Sequence, residues 1–347
     1  MIKYYKESDF KQKGFYYDYQ PIDSFGTHTK VIVGARGIGK TFGAKKKVTR
    51  DFYYNKNGFI WLRDTESACD KMREANGNAF FSDIKKEIFK HDFEGEIIQE
   101  EIIINDELAG RLMANSTFYN YKGNAFTSND FKTIVFDEFI AEQGQIVRGN
   151  RTRMFLNMVE TLGRLRTDYQ IIMLANALNR GDELLHMLGF GNIKDYGYYV
   201  NRDKDVVLHY ASNDPNFESA KKQSIAGKLI KNTQFDSVII NNDFGDDTNA
   251  FFTKKPQGAK LLTILSDGCE CVRIYFAGDM FYADADINYT AYPNMRVVCD
   301  IRNVSSQYRL INPELYAIIK KIHANSKIKF ANAYIKNLFN KILLKTQ

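Results

Sequence analysis

Cysteine is scarce. Four residues in a chain of 347 are too few for a disulfide scaffold. Proline is equally rare, five in all, and the 23 glycines follow no period, which excludes collagen-like repeats and long proline-rich linkers. No apolar run reaches the ~18 residues that a membrane-spanning helix needs. The opening MIKYYKESDF lacks the apolar core of a secretory leader. No repeat or low-complexity segment stands out. These absences predict a soluble protein of a reducing compartment, with no membrane partner. What is plentiful is core material: hydrophobic residues make up 44% and aromatic residues 14% of the chain. At ~150 residues per domain the length suggests two domains. The net charge is +6, and residues 311–347 alone hold seven lysines against Glu314, so the rest of the chain balances to zero. A neutral body with a basic tail points to a polyanionic partner at one end.

Apolar runs alternate with helical patterns through the first half. Lys30–Val33, Phe59–Leu62, Thr133–Phe136 and Tyr169–Ala175 read as strands, while Thr41–Tyr54, Ser67–Phe89 (broken near Gly77) and Arg151–Leu162 read as helices. That alternation predicts a parallel α/β sheet. Glu96–Ile104 and Leu108–Met113 flank Asn105-Asp106 as one hairpin. The character changes after about Asn213. Phe217–Lys231 reads as one basic helix, and Leu261–Leu265, Cys271–Phe276 and Met280–Ala283 read as antiparallel strands. The expected division is a domain at 1–212, a helical linker at 213–236 and a second domain with the basic tail at 237–347.

Gly34-Ala35-Arg36-Gly37-Ile38-Gly39-Lys40-Thr41 fits G-x-x-x-x-G-K-[ST] without a gap. Its glycines let backbone N–H groups turn inward around phosphates. Lys40 is placed to reach the β- and γ-phosphates, and Thr41 offers a hydroxyl to Mg²⁺. The helix that follows directs its positive end at the anion. A strand before and a helix after make a chance match improbable. Ile134-Val135-Phe136 then ends in Asp137-Glu138, and an apolar strand holds charges only at its solvent-facing end. Asp137 is expected in the Mg²⁺ shell and Glu138 as the group that polarises the attacking water. A second acid there indicates ATP hydrolysis of the RecA- and AAA-like type, and no Asn-Lys-x-Asp guanine reader is present.

Asn176 ends another buried strand, where it is placed to sense the γ-phosphate; an ordinary turn cap is the plainer role. Arg164 and Arg166 precede that strand. Seven residues at ~3.3 Å each separate its ends by about 20 Å. Arg164 therefore falls short of its own nucleotide but suits a neighbouring copy's, as an arginine finger supplied in trans; the alternative is a surface arginine at a helix C-terminus.

These residues together resemble a known family, the DNA-packaging (encapsidation) ATPases of protein-primed, short-tailed phages of the phi-twenty-nine type, which are similar to large terminase subunits. The likeness rests on Val33 to Lys40, on Thr133 to Ile140 and on Asn176-Ala177. It extends more weakly through Lys122-Gly123-Asn124-Ala125, Arg164-x-Arg166 and Gly227-Lys228-Leu229-Ile230. The resemblance implies a P-loop (ASCE) ATPase domain followed by a smaller α+β, RNase H-like domain that has lost nuclease activity. It implies a homo-oligomeric ring, pentameric, at the portal of a procapsid in the host cytoplasm. The ring would move double-stranded DNA with ATP and Mg²⁺, with a structural packaging RNA as a further partner. It also implies a nucleotide contact across the subunit interface for Lys122.

Asp267, Asp279, Asp284, Asp286 and Asp300 lie near strand ends of the second domain. Two-metal cleavage needs carboxylates that converge, whereas turns favour aspartate in any case, so no nuclease is expected. Neither the cysteines nor the histidines show zinc-ligand spacing. The tail lysines suit a solvated helix face as well as a nucleic acid. Two other functions fit the first domain: a helicase, and a non-motor P-loop ATPase that acts as an assembly switch.

Overall fold

In the computed structural model, which describes residues 2–10, 16–87, 93–121, 131–140, 151–176, 182–191, 193, 195–230, 254–285 and 295–344, the first part of the chain forms strands, of which the central ones are covered on both faces and the outer ones are partly exposed. They are β1 (Ile2–Lys6), β2 (Thr29–Val33), β3 (Gly58–Arg63), β4 (Gly95–Ile98), β5 (Glu101–Ile104), β6 (Glu107–Ala114), β7 (Phe131–Asp137), β8 (Gln170–Ala175), β9 (Gly197–Asn201) and β10 (Val206–Tyr210). They form one ten-stranded sheet in the order β1-β9-β10-β2-β8-β7-β3-β6-β5-β4. Its centre, from β10 to β6, is parallel throughout. β9 pairs antiparallel with β1 and β10, and β5 with β4 and β6. The parallel core is thus extended by hairpins at both edges.

Helix α1 is the short turn Gln20–Asp23; α2 (Lys40–Asn55) and α3 (Glu66–Glu87) pack on the sheet. From α2, Ala44, Val48 and Phe52 join Trp61 of β3 and Phe80 of α3 in the core. Helix α3 is interrupted at Glu74–Gly77, where three residues take left-handed φ. Ile134, Val135 and Phe136 are at most 1% exposed, and each contributes roughly 1.5–3 kcal/mol on leaving water. That burial is what holds Asp137, itself 1% exposed, at the strand's end. α4 (Arg151–Gly163) precedes β8.

The sequence expectation differs in three places. Glu96–Ile104 is two strands, so the segment makes two hairpins. The turn between β4 and β5 uses Gln99 at φ 55°, a left-handed position without glycine. The hairpin of β9 and β10 was not expected at all. The single basic helix is α6 (Pro215–Gln223) and α7 (Ile225–Ile230), broken at Ser224, whose Oγ accepts from Gly227 N at 3.0 Å.

The chain divides into two compact units, Met1–Asn179 with Lys194–Phe244, and Arg180–Ile193 with Gly245–Gln347. The second unit holds β11 (Lys260–Ser266), β12 (Cys271–Ala277), β13 (Met280–Ala285), β14 (Arg296–Val298), β15 (Arg309–Leu310) and β16 (Ile328–Phe330). Their order is β15-β14-β11-β12-β13-β16. β11 to β13 are antiparallel, and β14 and β15 continue parallel to β11. β16 adds a sixth strand, parallel to β13, so the unit is α+β as expected. Helix α5 (Glu183–Met187) belongs to this unit, as do α8 (Pro313–Ala324) and α9 (Ala333–Leu344). Ile319, Ile322, Ile335, Leu338, Phe339 and Ile342 face its core, as an amphipathic tail requires, but Ile318, expected inward with them, is 50% exposed.

Three of the five aspartates considered above are tied to bases of this unit. Asp267 meets Lys341 at 3.0 Å, Asp284 meets Arg273 at 2.8 Å and Lys255 at 3.3 Å, and Asp300 meets Arg302 at 2.5 Å. Among the described residues no group of three or more His, Cys, Asp or Glu is arranged to hold a metal. Asp286 lies outside the described residues.

Candidate nucleotide site

The parallel strands β2, β7 and β8 end side by side, so the loop after β2, the acids of β7 and Asn176 after β8 come to one edge of the sheet. The loop turns on Gly37 at φ 89° and Gly39 at φ 86°, conformations that side chains resist. A Cβ at Gly39 would also fall 2.8 Å from the Tyr16 ring. Helix α2 starts at Lys40, so its first N–H groups face the loop's mouth.

Lys40 is 4% exposed, and its ammonium donates to the carbonyls of Gly34 and Ala35 at 2.8 Å each. Burial pushes it down to about 7, against the upward pull of Asp137. A polyphosphate placed there would restore the full charge. Thr41 Oγ1 donates to Asp137 Oδ1 at 3.0 Å across 96 positions of sequence. A cleft of about 400 Å³ opens beside these groups, and Lys40, Thr41, Asp83 and Asn176 line it.

Arg63 is the site residue that the sequence reading missed. From the end of β3 its guanidinium donates to Asp137 Oδ2 and to Glu138 Oε2, both at 2.7 Å. Glu138 sits at φ 59°, a left-handed backbone unusual for a residue with a side chain, and its carboxylate lies beside that guanidinium. Arg151, the first residue of α4, donates to Asp64 at 2.6 Å and to the Glu138 carbonyl at 3.3 Å. The only sequence signal for Arg63 was a charge closing the apolar run Phe59–Leu62.

The structure therefore gathers Gly34 to Thr41, Asp137, Glu138 and Asn176. Arg164 is not gathered. It follows α4 at φ 45° and is exposed. Arg166 next to it is engaged within its own fold: it bonds the carbonyl of Phe131, the first residue of β7, at 2.8 Å and lies 4.8 Å from that residue's ring. The pair thus stands at the sheet edge away from the loop. Leu165 between them is 99% exposed. Lys122 lies outside the described residues.

A glycine phosphate loop whose threonine touches the first of two strand-end acids is an arrangement suited to a nucleotide's phosphates. Residues 11–347 match the family model of the podovirus DNA encapsidation protein (Gp16). The chain belongs to that family. Among curated encapsidation relatives, the DNA packaging protein of Bacillus phage B103 is 28% identical over 234 residues, 67% of this chain and 68% of that protein. The DNA packaging protein of Bacillus phage phi29 is 26% identical over 251 residues, 72% of each. Of solved structures, the N-terminal domain of the DNA packaging ATPase from bacteriophage phi29 is 26% identical, with a TM-score of 0.50 over 57% of this chain and 96% of that one. The bacteriophage phi29 genome packaging motor assembly matches at a TM-score of 0.71 with 21% identity, over 96% of this chain and all of that one. At that identity the likeness is one of fold, and it spans both units of this encapsidation protein.

Proposed function

We propose that this encapsidation protein is the ATP-hydrolysing subunit of a motor that drives double-stranded DNA into a procapsid. The observation that carries the reading is the contact of Thr41 with Asp137 at the mouth of the phosphate loop, with Glu138 one residue on. A hydroxyl and a buried carboxylate are hard oxygen donors, so the pair suits Mg²⁺. Thr41 and Asp137 would hold it; when bound, it neutralises charge on the β- and γ-phosphates. The loop amides and Lys40 bind the triphosphate, and Asn176 borders its terminal end. Glu138 orients water and takes its proton, for which it must leave Arg63.

Arg164 acts on a neighbouring copy. It extends from the edge remote from its own loop, so it completes a site only in trans, which requires a second copy and which a closed ring supplies at every site. The portal, a structural RNA and a pentameric ring belong to the same proposal, as does the Lys122 contact. Transport independent of sequence needs phosphate contacts rather than base reading.

The test is turnover of ATP with and without duplex DNA, beside a strand-displacement assay. DNA-stimulated hydrolysis without strand separation is the expected result. Strand separation would instead mark a helicase, and nucleotide-dependent assembly without DNA stimulation an assembly switch.

A further inference from the structure

A second cleft, of about 310 Å³, lies next to the phosphate cleft and shares Tyr16 with it. Ligand pockets run from ~300 Å³ upward, so this one suits a nucleoside rather than a whole nucleotide. Two aromatic rings stand on the phosphate loop here. Tyr16 rests against Gly39, and the Phe217 ring lies 3.1 Å from where a Gly37 Cβ would be. The rest of the wall is mixed: Phe10, Ile38, Ala211 and Pro215 are apolar, and one polar group in it is fixed. Glu7 Oε1 lies 2.9 Å from His209 Nε2, and Ser212 N donates to the Glu7 carboxylate at 3.2 and 3.3 Å. His209 is fully buried on β10, and its Nδ1 is 2.8 Å from Tyr17 Oη. A single neutral tautomer, accepting from Tyr17 and donating to Glu7, satisfies the whole chain of bonds. A carboxylate accepts about four hydrogen bonds, so Glu7 keeps capacity on its cleft side.

We infer that this cleft receives the base of the bound nucleotide, stacked against Tyr16 and Phe217, with its exocyclic amine donating to Glu7. The inference deepens the reading above and rests on it, because the triphosphate must occupy the adjoining loop. The cleft adjoins that loop directly, for Ile38 of the loop lines it and Tyr16 is common to both clefts. It offers what a purine ring needs: apolar faces beside the ring and one anchored acceptor at its edge.

Three probes separate the parts in equilibrium binding to the full chain: ATP, the triphosphate of purine riboside (which lacks only the 6-amino group), and inorganic tripolyphosphate. Loss of a hydrogen bond to a charged acceptor costs on the order of 10-fold or more in affinity. ATP should therefore bind at least about 10-fold tighter than the purine riboside analogue, and Glu7→Gln should narrow that gap. Loss of a stacking ring costs on the order of 10- to 100-fold. Phe217→Ala should weaken ATP by that factor and leave tripolyphosphate affinity unchanged. If the purine riboside analogue binds as well as ATP, or Phe217→Ala leaves ATP affinity intact, the base is elsewhere and this inference is overturned. Binding of tripolyphosphate in that case keeps the phosphate-loop reading alive. Failure of all three probes to bind would overturn both.

Discussion

Arg63 offers a stability test whose size can be worked out in advance. Its guanidinium bonds Asp137, whose side chain is 2% exposed, and Glu138, whose side chain is 38% exposed. The Glu138 arm is in water and is worth roughly 0.2–1 kcal/mol. The Asp137 arm is different: stripping one partner from a buried pair costs roughly 3–5 kcal/mol, because the other charge stays buried. Arg63 is itself 17% exposed, so we place the coupling at about 2–4 kcal/mol. The cycle is Arg63→Met, Asp137→Asn and the double variant. Methionine keeps the buried stem. It also removes Arg63 Nε, which is buried without a hydrogen-bond partner and whose relief is worth about 1 kcal/mol; this gain is common to both edges of the cycle and cancels. Thr41 keeps an oxygen to bond in Asp137→Asn. The chain provides its own probe, for Trp61 is its one tryptophan, fully buried on β3 two residues from Arg63. Urea denaturation followed by Trp61 fluorescence reports on the nucleotide-binding unit. Arg63→Met alone should lose about 2–3 kcal/mol, and the double variant much less than the sum of the singles. Additivity within ~0.5 kcal/mol would refute a coupled, desolvated pair.

Glu138→Gln should bind Mg-ATP normally and lose hydrolysis by a hundredfold or more, on the order expected for a general base, whereas Lys40→Ala should lose binding itself; nucleotide affinity measured beside turnover separates them. Arg164→Ala should bind ATP and hydrolyse it ~10³-fold more slowly. Mixing Arg164→Ala with Glu138→Gln subunits should restore part of the activity, and mixed assemblies that stay inactive would place the finger in cis or remove it. His209 is held below the usual histidine range by burial, with Glu7 pulling the other way. A lowered folded value means that the unfolded chain takes up the proton first, so stability should be full above about pH 6.5 and fall below it. His209→Gln should flatten that part of the urea midpoint against pH, and an unchanged slope would reject it.

The phosphate loop and the two acids were legible because their chemistry is written in fixed local spacing, and the strands carrying them are apolar runs buried on both faces. Arg63 was not, because its partners lie 74 and 75 residues away and only the parallel pairing of β3 with β7 brings them together. The turn at Gln99 was missed because a left-handed residue without glycine or asparagine leaves no compositional mark. Gly197–Asn201 is a strand by virtue of β1 and β10, the partners that pair with it, and its own mixed polar and aromatic sequence does not announce it; Val206-Val207-Leu208 of β10 does carry a β-branched apolar signal, but only three residues of it. The Glu7–His209 contact spans 202 positions and has no local signal.

The central claim is that ATP hydrolysis at this loop moves DNA into a shell. Purified protein, empty procapsids, duplex DNA and ATP, followed by nuclease digestion, test it directly. The account predicts DNA protected from nuclease with the wild-type chain and none with Glu138→Gln, although both bind ATP. Protection that persists with Glu138→Gln, or that needs no ATP, would contradict it.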